Sequence, residues 1–470
     1  MENNLPFINE ELITNLIESY RNPDSKLVDE ILQKGLELQG LSLEEAAVLI
    51  NVSNPDDILK IFETAGKIKD EIYGNRLVLF APLYISNYCS NNCLYCGFRI
   101  DNKSIRRKVL TIDEIKEETR VILEQGHKRI LLLMGEDHEK CSLEYFIQAI
   151  YAIYSVEDSK GSTIRRINVE IAPLSDEEFK ILSEVPIGTY TVFQETYHRD
   201  TYSKMHPKGR KHNYLWRLYT MDRALSNGMH DVGIGALFGL YDYRFETLAL
   251  IQHSKHLDEK FGIGPHTISI PRVKPAKNAP ASYNSQYAVS DMDFKKLVAV
   301  LRISVPYTGI ILSTREPASL RNELFNLGVS QISAGSKTSV GGYKQAFNAV
   351  ENEDEVGQFS LNDCRSSGEV IQDLIKMGFV PSFCTACYRL GRVGEDFMEL
   401  AKPGLIKTHC HPNGLTTLKE YLVDYADEET RVAGEQLIQK ELEKIEHKKL
   451  RTKTIEYLKR IEQGERDLYF

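Results

Sequence analysis

The sequence predicts an α/β protein built on a (β/α)8 barrel with helical extensions at both ends. Three observations predict it: eight short apolar runs rich in β-formers, helical segments with clear start signals between them, and a span close to the ~250 residues such barrels occupy. With 42% hydrophobic and 27% charged residues over 470 positions, the composition is that of a globular protein able to bury a large core. A doubly wound open sheet shares this pattern, because alternation of strands and helices does not show closure.

The runs, in order, are Leu77–Ile85, Ile130–Met134, Ile167–Ile171, Tyr190–Phe193, Val232–Ala236, His266–Ile270, Gly309–Leu312 and Gln331–Ala334. Between them, Thr111 with Glu114 and Ser175 with Glu178 have capping-box spacing, and Ser142, Ser290 with Asp293, and Ser319 with Asn322 and Glu323 are further helix starts. Gly126, Gly228, Gly262 and Gly328 are placed to close helices. Three units follow. Residues 1–75 read as helices, with amphipathic runs at Asn9–Tyr20, Ser25–Leu38 and Leu43–Asn51, expected to cap one end of the barrel. Residues 76–367 form the barrel. Residues 368–470 supply the last barrel helix, Gly368–Met377, then an irregular cysteine-bearing stretch, then charged helices from Leu418 onward. The last of these, from Glu428, is expected to be a solvated face or peripheral brace.

A formal charge of −9, from 58 basic and 67 acidic residues, offers no footprint for nucleic acid or an anionic membrane. The apolar run Leu77–Ile85 is far shorter than the ~20 residues of a membrane helix, and the polar start Met1–Glu11 does not read as a signal peptide. A cytoplasmic protein with small-molecule or protein partners is expected. Eight cysteines are too few for a disulfide framework in a chain this long. Six of them fall into two tight clusters, which points to metal or redox chemistry.

The first cluster, Cys89-Ser-Asn-Asn-Cys93-Leu-Tyr95-Cys96, follows the first strand, at the rim where barrel enzymes build their sites. Structural zinc wants four protein ligands, whereas a [4Fe–4S] cluster held by three cysteines keeps one iron open. A zinc knuckle short of one ligand is the plain alternative. The second cluster is Cys384-Thr-Ala-Cys387 with His409-Cys410-His411. Spacing alone favours a zinc site completed by His409 or His411. Barrel topology shifts the balance, because the helix after the eighth strand runs back to the opposite rim, where His266 precedes the sixth strand. A three-cysteine site at that rim is therefore expected, with His266 either facing it or serving as a hydrogen-bonded core residue.

The first motif, with an aromatic residue before its last cysteine, resembles the signature of radical S-adenosylmethionine (SAM) enzymes. The resemblance implies a [4Fe–4S] cluster with bound SAM. It also implies that Tyr95 belongs to the cofactor loop, that Gly135-Glu136 grips the SAM amino group, that Glu170 and Gln194-Glu195 contact ribose and amino acid, and that Arg217 pairs with the carboxylate. Gly233–Gly239 would face adenine. With a CxxC pair and a distant cysteine in the tail, the chain resembles the radical SAM tyrosine lyases of [FeFe]-hydrogenase maturation. The 2-iminoacetate synthases of thiamine synthesis share Gln194-Glu195-Thr196-Tyr197 and Ile332-Ser333-Ala334-Gly335-Ser336 but lack the complete tail cluster set.

That resemblance implies hydrogen abstraction from the amino group of L-tyrosine, and Cα–Cβ cleavage to p-cresol and dehydroglycine. The fragment would be converted to CO and cyanide on an auxiliary [4Fe–4S] cluster with an additional iron, of [5Fe–5S] type. It further implies a reducing electron donor and hydrogenase-maturation partners. Arg315 is placed to hold the tyrosine carboxylate and Ser333 to bond its amino or carboxylate group, with Arg321 as an alternative clamp. Cys89, Cys93 and Cys96 would hold the first cluster, Cys384, Cys387 and Cys410 the second, and His266 the extra iron. A non-enzymatic iron–sulfur or zinc scaffold for assembly is the reading from a different class. Cys141 and Cys364 read as small buried hydrophobes, His198 and His206 as exposed residues of a mobile loop, Tyr197–Lys211, and Trp216 as a packing residue.

Overall fold

Closure of the barrel rests on one long strand with a neighbour on each side. In the computed structural model, which describes residues 6–348 and 357–470, β1 (Arg76–Ser86) is buried along its whole length. Its residues Ala81–Ser86 pair in parallel with β2 (Arg129–Met134), and Val78–Phe80 pair with β8 (Gln331–Ser333). Between these lie β3 (Arg166–Glu170), β4 (Tyr190–Thr191), β5 (Val232–Gly235), β6 (Thr267–Ser269) and β7 (Gly309–Leu312), in chain order and all parallel. The eight expected strands are those observed, and the open sheet is excluded. Of the polar start, Met1–Leu5 lies outside the described residues.

Local chemistry sets most helix starts. The capping boxes at Thr111/Glu114 and Ser175/Glu178 both form, and the Ser142 and Ser290 hydroxyls accept from the backbone N–H groups of Tyr145 and Asp293. Ser319 does not start a helix: that helix runs Ala318–Leu327 behind Pro317, whose fixed φ leads the chain in without a side-chain cap.

A ninth strand, β9 (Val380–Ser382), pairs with Arg76–Val78 at the N-terminal end of β1. Three residues around Pro381 carry no readable period, and proline is tolerated because β9 is an edge strand. This pairing delivers Cys384 to the lower rim, the end where the strands begin.

The N-terminal helices do not cap a barrel end. Helix Leu43–Ile50 packs on the barrel helices Tyr243–Phe261 and Asp291–Ser304, and Pro55–Tyr73 packs on Asp291–Ser304 and Ala318–Leu327. The reason lies in Asp291–Ser304, which buries Leu297 through Ser304 without a break and so must be covered on its outer side too. The tail is more ordered than expected. It forms helices Ala386–Arg389, Gly394–Ala401, Lys407–Asp424, Glu428–Glu443 and Lys448–Glu462, and Cys410 sits in the first turn of the third. Glu428–Glu443 is a peripheral brace with a solvated face, burying Leu437, Ile438 and Glu441 on its inner side. No helix among the described residues is long and apolar enough to cross a membrane.

Candidate active site

At the upper rim, Cys89, Cys93 and Cys96 line one cavity together with Tyr95, Gly135, Glu136, Glu170, Glu195, Lys211 and Arg217. The loop is held from several sides. Asn91 donates to Glu136 Oε2 (2.6 Å) and lies 3.8 Å from Cys89 Sγ, while backbone bonds run from Asn92 to Lys208 and from Leu94 to Met205. Gly135 is where strand tip and loop meet: a Cβ there would stand 2.1 Å from the Tyr88 carbonyl oxygen, so only glycine permits the approach. Burial pushes the Cys93 thiol up to about 12 and Cys96 up to about 11. Alone the thiols stay protonated, and a metal would have to displace those protons.

Opposite the cysteines is a charged wall. Burial raises the Glu195 carboxyl, but Lys211 at 2.5 Å and Arg217 at 3.6 Å outweigh it and hold the group below the usual carboxylate range. Burial and then the Glu195 charge push Glu170 up to about 7. Gln194 backs this wall: its N–H bonds the Gly235 carbonyl and its buried Nε2 has no hydrogen-bond partner among the described residues.

Glu195 has φ +71°, a left-handed backbone that is costly for a residue with a Cβ. The fully buried carboxylate of Glu246 restrains the next two residues, accepting from Thr196 Oγ1 and from the Tyr197 N–H (2.9 Å). Burial pushes Glu246 up to about 8. In the unfolded chain that carboxyl ionises near 4.5, so its burial costs nothing at lower pH and destabilises increasingly as pH rises from 4.5 towards 8. Glu246→Gln should remove this dependence. Urea unfolding at pH 5 and pH 8 is expected to show the variant gaining on the parent at pH 8, by up to a few kcal/mol (about 1.4 kcal/mol per pKa unit).

A second upper cavity adjoins the first, and both are lined by Tyr84, Leu133, Glu170 and Gln358. Arg315 and Ser333 both line this largely apolar space, with Ser336, Thr338 and Phe359, and the Ser333 hydroxyl accepts from the Thr314 N–H next to Arg315 (3.2 Å). The Arg315 guanidinium lies 3.3 Å from the Phe359 ring centre, and the turn carrying it is anchored because Glu316 accepts from Arg272 and Lys274. Arg321 is not a second clamp in this cavity. It is fully buried behind the wall, with its guanidinium donating to Asp363 and to the Ser333 carbonyl, so it positions Ser333. Asp363→Ala would leave that charge unpaired and should destabilise the fold by about 3–5 kcal/mol, read as a lower urea midpoint.

At the lower rim, Cys384, Cys387, Cys410 and His266 line one chamber with Arg76, Arg129 and Arg166. His409 and His411 do not line it; His411 Nε2 lies 3.1 Å from the Glu441 carbonyl oxygen, which removes the histidine completion that spacing favoured. Burial and then the three arginines hold the His266 imidazole well below its ordinary pKa, so it is neutral, as a metal ligand must be. The Cys410 thiol is held low by a hydrogen bond from Cys387 and, against burial, by Arg76, Arg392 and Arg129. Along β3, Arg166, Asn168 and Glu170 alternate into the barrel from the lower chamber to the upper rim, and Arg166 Nε donates to Asn168 Oδ1 (2.7 Å).

Among the described residues no trio of His, Cys, Asp or Glu side chains is arranged to hold one metal ion. Three cysteines leave a structural zinc short of a fourth protein ligand, whereas a [4Fe–4S] cluster held by three thiolates keeps one iron open.

Other expectations need correction. Cys364 is exposed, whereas Cys141 is buried with its Sγ 3.0 Å from Ser86 Oγ. His206 is buried, with Nδ1 bonding the Tyr202 carbonyl and Nε2 2.8 Å from the Tyr95 hydroxyl, and helix Arg199–Met205 occupies the segment read as a loop. His198 is half-buried, stacked on Tyr241. Trp216 is half-buried under the Arg223 guanidinium. Lys211 and the three lower arginines escaped the sequence reading. The arginines had a readable sign, since each is the first residue of its strand.

Known proteins fit this geometry. Residues 83–251 match the Radical SAM superfamily, and residues 269–380 match the Biotin and Thiamin Synthesis associated domain. The 2-iminoacetate synthase of Escherichia coli K12 is 30% identical over 77% of this chain and 92% of its own length. A crystal structure of HydG, a maturase of the [FeFe]-hydrogenase, superposes with TM-score 0.94 at 50% identity, covering 99% of this chain and all of that one. HydG from Carboxydothermus hydrogenoformans gives 0.81 at 43% identity, covering 96% and 99%. An iron–sulfur cluster and SAM are the cofactors such domains carry, and the upper cysteine cavity has the donors for both. The chain belongs to the radical SAM superfamily, in the group that includes 2-iminoacetate synthase and the hydrogenase maturase HydG.

Proposed function

We propose that the chain is a tyrosine lyase serving [FeFe]-hydrogenase maturation: it cleaves L-tyrosine at Cα–Cβ to p-cresol and dehydroglycine, and the fragment becomes CO and cyanide on an auxiliary [4Fe–4S] cluster with an additional iron. One observation carries the reading: two three-cysteine chambers lie at opposite ends of one barrel, with an Arg315/Ser333 cavity beside the upper one. When bound, reduced cluster and SAM supply a hydrogen-abstracting radical at the upper rim.

Cys89, Cys93 and Cys96 would hold that cluster. Glu136, Glu195 and Arg217 would orient SAM, with Tyr95, Gly135, Glu170 and Gln194 shaping its surroundings. Arg315 would take the tyrosine carboxylate in a two-pronged contact and Ser333 its amino group, with Arg321 fixing Ser333 from behind. The apolar walls exclude water from the reacting substrate. Cys384, Cys387 and Cys410 would hold the second cluster and neutral His266 the extra iron. We place the protein in the cytoplasm with a reducing electron donor and the hydrogenase-maturation machinery as partners.

The test is anaerobic reconstitution with iron and sulfide followed by product assay. p-Cresol is expected only with tyrosine, SAM and reductant together; SAM cleavage without cresol would overturn the proposal. Metal analysis separates the scaffold reading, which expects zinc in the tail site, from the enzyme, which needs about eight irons or more.

A further inference from the structure

The outer wall of the lower chamber is thin. Arg166 and Tyr388 line that chamber and also line a separate lateral groove. The groove has a volume of about 540 Å³, within the range of small-molecule sites. It runs between helix Leu143–Tyr154, residues 183–188, residues 228–231 and the tail at Tyr388–Val393.

The partition is a built arrangement of side chains. The Arg166 guanidinium stacks 3.0 Å from the Tyr388 ring centre and its Nη2 donates to Thr189 Oγ1 (2.8 Å). Thr189 Oγ1 in turn lies 3.1 Å from the Tyr388 hydroxyl. Asp231, a buried residue lining the groove, stands 3.7 Å from Arg166 and 3.4 Å from His266 Nδ1, within ion-pair distance of both. Tyr388 is half-buried and adjoins Cys387, and its ring with the Arg166 guanidinium on it separates the cysteine chamber from the groove.

Charge decides what such a passage admits. Among the described residues the chamber lining contains Arg76, Arg129 and Arg166, against the one carboxylate of Asp231 just behind it, so its net potential attracts anions. At the groove rim, Arg165 and Arg389 are both paired with Asp467, which leaves Arg166 as the cation nearest the partition.

We infer that the groove is the solvent mouth of the lower chamber, through which small anionic ligands of its iron come and go, with the stacked Arg166–Tyr388 pair as the door. This rests on the reading of the lower chamber as an iron site. Nothing large needs to move: the door is two side chains, Tyr388 and Arg166.

The test uses full-length reconstituted protein with SAM bound at the upper end and cyanide as the probe. The rate at which cyanide changes the second cluster's electron paramagnetic resonance signal is the readout. Ile187→Trp and Ser183→Trp each fill the groove from the 183–188 wall, away from the cysteines, and should slow that change by about tenfold or more. Tyr388→Ala should speed it by a similar factor (about tenfold, 1.4 kcal/mol in barrier). Parental rates in the tryptophan variants at parental iron content would overturn the inference. Absence of a second cluster from the parent protein would instead overturn the reading on which it rests.

Discussion

Replacing Cys384 and Cys387 together by Ala is expected to leave p-cresol formation close to that of the parent protein while CO and cyanide disappear. The upper cavity, where tyrosine would be cleaved, contains neither residue, and the two chambers are walled by different side chains. Loss of two cluster ligands should lower CO yield by more than about 100-fold, since removing even an outer-shell partner costs about 10–100-fold. Cys93→Ala should abolish both products. Cresol and CO are measured on the same anaerobic reaction, by chromatography and by carboxyhaemoglobin formation. Unchanged CO in the double variant would favour a chain that stops at 2-iminoacetate and would sink the two-chamber reading.

Arg315→Ala is the second large effect. A substrate carboxylate losing its buried two-pronged partner forfeits about 2–5 kcal/mol, so the KM for tyrosine should rise roughly 30-fold or more. Arg315→Lys keeps the charge but loses the planar fork, and should fall between the two. SAM binding should not change, because Arg315 lies outside the cysteine cavity. Steady-state cresol formation against tyrosine concentration decides, with SAM affinity measured alongside. An unchanged KM would remove Arg315 from the substrate site.

These predictions rest on different layers of information. The upper site was legible in one dimension because its parts recur at strand ends: Cys89–Cys96 after β1, Gly135-Glu136 after β2, Glu195 after β4, Arg315 after β7. Once apolar period and helix caps define strands, a rim follows. Arg321 was misjudged because its partner, Asp363, lies 42 residues away and nothing local marks that ion pair as buried. Lys211 reaches Glu195 from a segment that reads as loop but holds a helix packed over the cysteine motif. His206 read as exposed for the same reason, although its polar ring is buried with both nitrogens paired.

By itself the sequence determined the eight strands, most helix starts and the sorting of six cysteines into two triads, because periodicity, capping and ligand spacing act within a few residues. Only the tertiary structure decided how the triads are set. β9 joins β1 across about 300 residues through three backbone pairs. That pairing, with the first turn of Lys407–Asp424, brings Cys384, Cys387 and Cys410 beneath His266 among three strand-opening arginines. Such long-range pairing depends on which buried surfaces and backbone edges remain unmatched once the barrel has closed, and no local pattern encodes that.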